Sequence, residues 1–163
     1  MSLLERLYDD HAQVMFAFAL DLTRDEADTR DILQSIFCRI AEKPALLRGV
    51  RDERAFLLRM VYTRVVDASR RRTVREAHAA DAPAIFDSPE DPDAAQFRES
   101  LAAALDEIPT DQRAIVHLKL WQGLTFDEIA RTLDIPANTA ASRYRYGIDK
   151  LRTLLRPLYE EIR

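Results

Sequence analysis

The sequence predicts an all-α protein built as two small helical domains, and three observations lead there. Only three glycines occur in 163 residues, of which 47% are hydrophobic and 32% charged, a composition suited to amphipathic helices rather than to a sheet or a disordered chain. Apolar residues recur at helical spacing through most of the chain. The exception is a proline-bearing acidic stretch in the middle, which divides it.

From the N-terminus, Leu4, Leu7 and Tyr8, then Val14, Phe16, Phe18 and Leu20, then Ile32, Leu33, Ile36, Phe37 and Ile40 keep helical spacing. Thr23 to Asp25 interrupts the pattern, so two helices are expected, the second opened by a capping box of Thr23 and Glu26. Lys43-Pro44 ends it, because proline cannot continue the hydrogen-bond ladder and restricts the residue before it. "ALLRGVRDERAF", with Gly49 and alternating charges, reads as a loop. A third helix starts near Asp52. Its apolar positions Phe56, Leu57, Met60, Val61, Val65 and Val66 leave Arg59, Arg64, Arg70 and Arg71 on other faces.

Residues 77–95, "AHAADAPAIFDSPEDPDAA", carry Pro83, Pro89 and Pro92 and little periodic apolar content. Such a stretch buries too little surface to offset its ordering entropy and is expected to be a flexible linker. It separates an N-terminal domain, 1–76, from a C-terminal one, 96–163, each of a size that folds alone.

The C-terminal domain reads as four helices. "DAAQFRESLAAALDEI" is closed by Pro109; "TDQRAIVHLKLWQG" begins at a Thr110 cap and ends at Gly123; "TFDEIARTLD" opens with capping-box spacing at Thr125 and Glu128. "IPANTAASRYRYGIDKLR" supplies the fourth. Helix, tight turn and a cation-rich helix outline a helix-turn-helix. Ile129, Ala130, Leu133, Ile135, Ala140 and Leu151 suit its packed inner face, Ala130 being small where helices cross. Thr139, Ser142, Arg143, Arg145 and Tyr146 remain for base edges, where Arg matches guanine in bidentate fashion and Ser or Tyr donates to bases or phosphates. Lys150, Arg152 and Arg156 lie further along and suit phosphates.

The net charge of −4 hides an uneven distribution. Residues 64–76 carry five arginines against Asp67 and Glu76, a net +3. Residues 142–156 carry five cations against Asp149, a net +4, whereas 77–99 carry six acids against Arg98, a net −5. Two basic patches flank an acidic bridge.

No apolar run is long enough to span a bilayer, and "MSLLERLYDDHAQ" is too charged for a signal peptide, so a cytoplasmic protein is expected. The single cysteine, Cys38, fits a reducing compartment, excludes an internal disulfide or a Cys-based zinc site, and is expected to be a buried free thiol. His11, His78 and His117 are scattered and no Gly-rich phosphate loop occurs. No catalytic constellation, metal site or cofactor is therefore expected, and His117 is expected to be a packed or half-exposed residue of its apolar helix rather than a ligand.

"IPTDQRAIVHLKLWQGLTFDEIARTLDIPANTAASRYRYGIDKLRTLL" resembles region 4 of the extracytoplasmic-function (ECF) sigma factors, the small two-domain initiation subunits of bacterial RNA polymerase. "DEADTRDILQSIFCRI" resembles regions 2.1 to 2.2, and "FLLRMVYTRVVDASRRR" regions 2.3 and 2.4. The resemblance covers nearly the whole chain apart from the linker. It implies a sigma factor, not an enzyme, whose partners are core RNA polymerase and promoter DNA, and which an anti-sigma factor commonly clamps. It implies that Asp28, Asp31, Gln34 and Phe37 dock on polymerase; their spacing sets each beside the one before, which permits a docking stripe, while a core Phe37 with acids that merely solvate the helix is the competing reading. It also implies that the third helix and the loop at 44–54 open the −10 element, with Arg59, Tyr62, Arg64, Asp67, Arg70 and Arg71 as candidates. Melting needs unstacked bases to be captured by apolar or aromatic groups beside cations; for Tyr62, plain core packing is the competing role. The linker would thread toward the RNA exit path.

The chain departs from the family pattern at Ala141, Tyr146 and Ile148, where members often carry basic residues, so the −35 sequence it reads is expected to differ. Asp134 stands where many members have Gly, and Asp tolerates left-handed geometry. Thr63 stands where many have Asn, and the 44–54 loop lacks the usual Asp-Pro-x-x-Gly form. The competing class is a conventional helix-turn-helix regulator, which would bind duplex DNA alone at paired half-sites.

Overall fold

In the computed structural model, residues 1–72 and 92–161 are described. They form seven α-helices: α1 (Leu3–Thr23), α2 (Glu26–Glu42), α3 (Glu53–Arg72), α4 (Pro92–Asp106), α5 (Thr110–Leu120), α6 (Phe126–Leu133) and α7 (Ala137–Glu161). Among the described residues there is no strand. The chain divides into two compact units, the first carrying α1–α3 and the second carrying α4, α5, the start of α6 and α7.

In the first unit α1 lies against both α2 and α3. Leu7, Met15 and Phe18 from α1, Ile36 and Ile40 from α2, and Leu57, Leu58 and Val61 from α3 are buried almost completely. Ser2 and Glu5 cap α1 reciprocally, the Ser2 N–H donating to Glu5 at 2.6 Å and the Glu5 N–H to the Ser2 hydroxyl at 3.2 Å. Hydrogen bonds from Ser2 hold the Glu5 carboxyl below its ordinary pKa. The helix ends on Arg24, left-handed at φ 56°, whose N–H returns to the Leu20 carbonyl.

The cap of α2 differs from the expected one. Asp25 is the N-cap and accepts from the Asp28 N–H at 2.9 Å. Thr23 instead shares a hydroxyl contact with Thr29 at 2.8 Å and donates to the Asp25 carbonyl at 3.0 Å. A carboxylate one residue before the first turn faces the free N–H groups and the positive helix end, which a hydroxyl two residues further out cannot reach. Asp52 caps α3 by accepting from the Ala55 N–H at 2.9 Å. The 44–54 segment is partly ordered as a 3-10 turn over Pro44–Leu47, followed by Gly49 at φ 80°. Between α1 and α3, Arg6 donates twice to Glu53, both at 2.8 Å, with His11 at 3.6 Å from the same carboxylate. The hydrogen bond raises the Arg6 pKa and lowers that of Glu53.

The second unit packs Ala104, Leu105, Ile108, Val116 and Leu151 into one cluster, with Leu101, Tyr144, Ile148 and Leu155 against it. Helix α4 begins at Pro92, so 92–95, which the sequence left shared between the linker and the helix read from Asp93, are helical. Proline suits a first helical position and Asp93 follows it in the first turn. The rest of that linker, 77–91, lies outside the described residues. Helix α5 also starts differently: Pro109 occupies the cap position without a side-chain bond and Thr110 is already helical. The helix ends at Leu120 rather than at Gly123, which turns the chain afterwards at φ 65°.

At Gly147 the backbone of α7 lies against α5. A Cβ there would lie 3.0 Å from a Val116 methyl and 3.5 Å from the Gln112 Cβ, so any larger residue would push the Val116 side chain back by a few tenths of an ångström.

Candidate nucleic-acid and polymerase interfaces

The helix-turn-helix forms as its sequence outline predicts. The Thr125 hydroxyl accepts from the Glu128 N–H at 3.2 Å and meets the Glu128 carboxylate at 3.1 Å, starting α6. Asp134 adopts φ 56°, and the Ile135 N–H bonds the Ala130 carbonyl at 3.0 Å. Left-handed geometry at that residue lets the chain reverse into α7. Ile129, Ala130, Leu133, Ala140 and Leu151 are buried and Ile135 is half-buried. Phe126 meets Tyr144 edge-on, centroids 5.4 Å apart, while the Lys119 ammonium sits 4.5 Å from the Phe126 centroid. His117 is buried, stacked on Trp121 at 5.7 Å.

The outer side of α7 carries most of the residues assigned to bases. Arg145, Tyr146 and Lys150 are exposed, Thr139 and Ser142 half-buried, and the Ser142 hydroxyl donates back to the Thr139 carbonyl at 3.1 Å. Arg143 is displaced from this group: its Nε lies 3.4 Å from the Asp111 carboxylate on α5. Asn138, exposed in the first turn, joins the outer side. Its side chain accepts from the Thr139 N–H at 3.0 Å.

On α3 the structure brings together only part of the −10 set. Arg59 and Arg64 border a cavity of about 270 Å³ whose other walls are Arg39, Leu46, Phe56, Met60 and Thr63. Phe56 and Met60 are therefore half-buried cavity walls rather than full core residues. Tyr62, Asp67, Arg70 and Arg71 lie outside it; Tyr62 is half-buried and the other three exposed. Leu46 and Arg39 come from other elements, so no spacing within α3 could have pointed to them.

On α2, Asp31 and Gln34 are exposed, Phe37 is half-buried and Asp28 partly buried near the helix start. Phe37 tilts against Tyr8 of α1, centroids 5.7 Å apart. Gln34 and Phe37 edge a groove of about 950 Å³ walled by Leu4, Tyr8, Phe16 and Leu33. Next to it in sequence, Cys38 is exposed, not buried as expected, because it falls on the side of α2 opposite Ile36 and Ile40. Among the described residues no group of three His, Cys, Asp or Glu side chains could hold a metal ion, and no helix is long and apolar enough to cross a membrane.

Residues 98–151 match the family model described as Sigma-70, region 4. Over 162 residues the chain is 30% identical to the ECF RNA polymerase sigma factor SigL of Mycobacterium tuberculosis, covering 96% of this chain and 91% of that protein. The chain belongs to the ECF sigma factor family. As an ECF sigma factor it directs transcription initiation. It is also similar to the ECF sigma factor SigX of Bacillus subtilis, 26% identical with 96% and 85% of the two chains covered. The sigma factor RpoE of Bartonella quintana, solved in complex with the anti-sigma factor NepR, has the same fold. That match has a TM-score of 0.72 at 19% identity and covers 93% of this chain and 96% of that one.

Proposed function

We propose that this sigma factor docks on core RNA polymerase through α2, reads −35 duplex DNA with the outer side of α7, and captures unpaired −10 bases beside α3. Residues 1–76 act as region 2. Because α4 begins at Pro92, region 4 takes in 92–163. The docking set is Asp31, Gln34 and Phe37 with Asp28 behind them; the −35 set is Thr139, Ser142, Arg143, Arg145, Tyr146 and Lys150.

The observation that carries the reading is the cavity on α3. An apolar wall of Leu46, Phe56 and Met60 framed by Arg39, Arg59 and Arg64 is the environment an unstacked base requires. The apolar side replaces lost stacking, and the cations hold the strand's phosphates. A regulator that only binds closed duplex has no use for it. Tyr62, Arg70 and Arg71 then contact the flanking backbone and duplex rather than the captured base, and Asp67, an acceptor only, meets base amino groups and not phosphates. Similarity to a sigma factor solved with an anti-sigma factor supports a partner of that class here.

The test is to mix the chain with core RNA polymerase, isolate the complex by size exclusion, and probe a bound promoter with permanganate, which oxidises unpaired thymines. Co-elution with promoter-dependent reactivity at the −10 element is expected. A protein that ignores polymerase yet protects paired half-sites on its own would be a conventional regulator.

A further inference from the structure

The outer side of α7 is not uniformly basic, and its departures carry chemical information. Arg143 turns toward α5, 30% exposed and 3.4 Å from the Asp111 carboxylate. A guanidinium engaged within its own unit has fewer donors to offer a guanine. Tyr146, by contrast, is 60% exposed, and the Arg145 guanidinium lies over its ring, 5.7 Å from the centroid. Tyr146 stands one turn beyond Ser142 on the same side of α7.

A large ring left in solvent forgoes the gain of burial, so its surface is available for a partner. In the major groove one group alone rewards apolar carbon: the C5 methyl of thymine. The cation over the ring limits its swing and holds its face in a fixed direction. We propose that Tyr146 is a specificity-determining residue of the −35 contact, its ring packing on a thymine methyl while Arg145 braces it. This rests on the −35 reading of α7.

Holoenzyme reconstituted with core polymerase is used to select promoters from duplexes randomised upstream of the melted region. Each thymine of the enriched upstream element is then replaced by deoxyuridine, which removes only the methyl. At least one replacement should weaken binding about fourfold, the effect of one methyl leaving an apolar contact. Tyr146→Phe should keep that sensitivity and Tyr146→Ala should lose it, while both assemble holoenzyme as the native chain does. Methyl-insensitive binding by the native chain overturns the proposal, as does sensitivity that survives in Tyr146→Ala or vanishes in Tyr146→Phe. If no upstream element is enriched at all, the −35 reading itself has failed, a result distinct from these.

Discussion

The cations of α3 and those of α7 are set in opposite shapes. Arg59 and Arg64 stand with Arg39 around a hollow walled by Phe56, Met60 and Leu46. Arg145 and Lys150 project from a convex helix surface, and the aromatic among them, Tyr146, is exposed on the same surface. A hollow can enclose a base only after it has left the stack, whereas a ridge can enter a groove whose bases remain paired. On the proposed reading, similar residue types divide into two tasks through the shape of the surface that carries them, and each task should be removable without the other.

The largest effect should come from removing what both tasks share. Asp31→Arg places a cation at the centre of the exposed α2 side, and a like charge against a basic docking surface costs several kcal/mol. Loss of co-elution with core polymerase is expected while the helical circular dichroism stays native, since Asp31 is exposed. Normal assembly of that variant would move the docking surface elsewhere. Next, Phe56→Ala empties the wall of the hollow. Base–aromatic stacking is worth about 1–3 kcal/mol per base, so permanganate reactivity at −10 should fall by roughly tenfold with upstream protection retained. Equal loss of upstream protection would collapse the distinction between hollow and ridge.

The ridge has its own internal contrast. Arg145→Ala should relax −35 selectivity by about 1–3 kcal/mol, the worth of a good base contact. Arg143→Ala should cost less selectivity, because Asp111 already engages that guanidinium. Competition binding of holoenzyme to matched and mismatched −35 duplexes measures both. A larger effect at Arg143 would mean that the ion pair opens on DNA and that Arg143 is the principal reader.

Much of this was legible in sequence because helical period and turn chemistry are local. The Thr125 and Glu128 spacing, the Asp134 turn and the inner face from Ile129 to Leu151 required only residues a few positions apart. What escaped depends on residues far apart in the chain. Nothing within "FLLRMVYTRVV" shows that Phe56 and Met60 face Leu46 and Arg39, nor does the α7 sequence show that Asp111 reaches Arg143. Gly147 illustrates the same boundary: sequence marks it as a poor helix former, and only Val116 at 3.0 Å from its missing Cβ explains why α7 accepts it. Caps failed where two neighbouring candidates competed, as with Thr23 and Asp25, since a shift of two residues decides which side chain meets the free N–H groups.

The smallest expected effect concerns the frame that holds α3 against α1, and hence the hollow alone. Glu53 joins Arg6 through two hydrogen bonds, which lower its carboxyl pKa from the ordinary 4.5. A carboxylate whose folded pKa is depressed stabilises the fold above its unfolded pKa, and that contribution disappears as pH falls through the folded value. Thermal stability of the native chain should therefore drop with acidification below about 4.5 by more than that of Glu53→Gln, which has no charge there to lose. The margin should be small and should shrink in high salt, because both partners remain partly exposed, 42% for Arg6 and 29% for Glu53. The ridge on α7 shares none of these groups, so the pH dependence of −35 duplex binding should be identical in the two proteins. A difference there would show that this clasp reaches beyond the first unit.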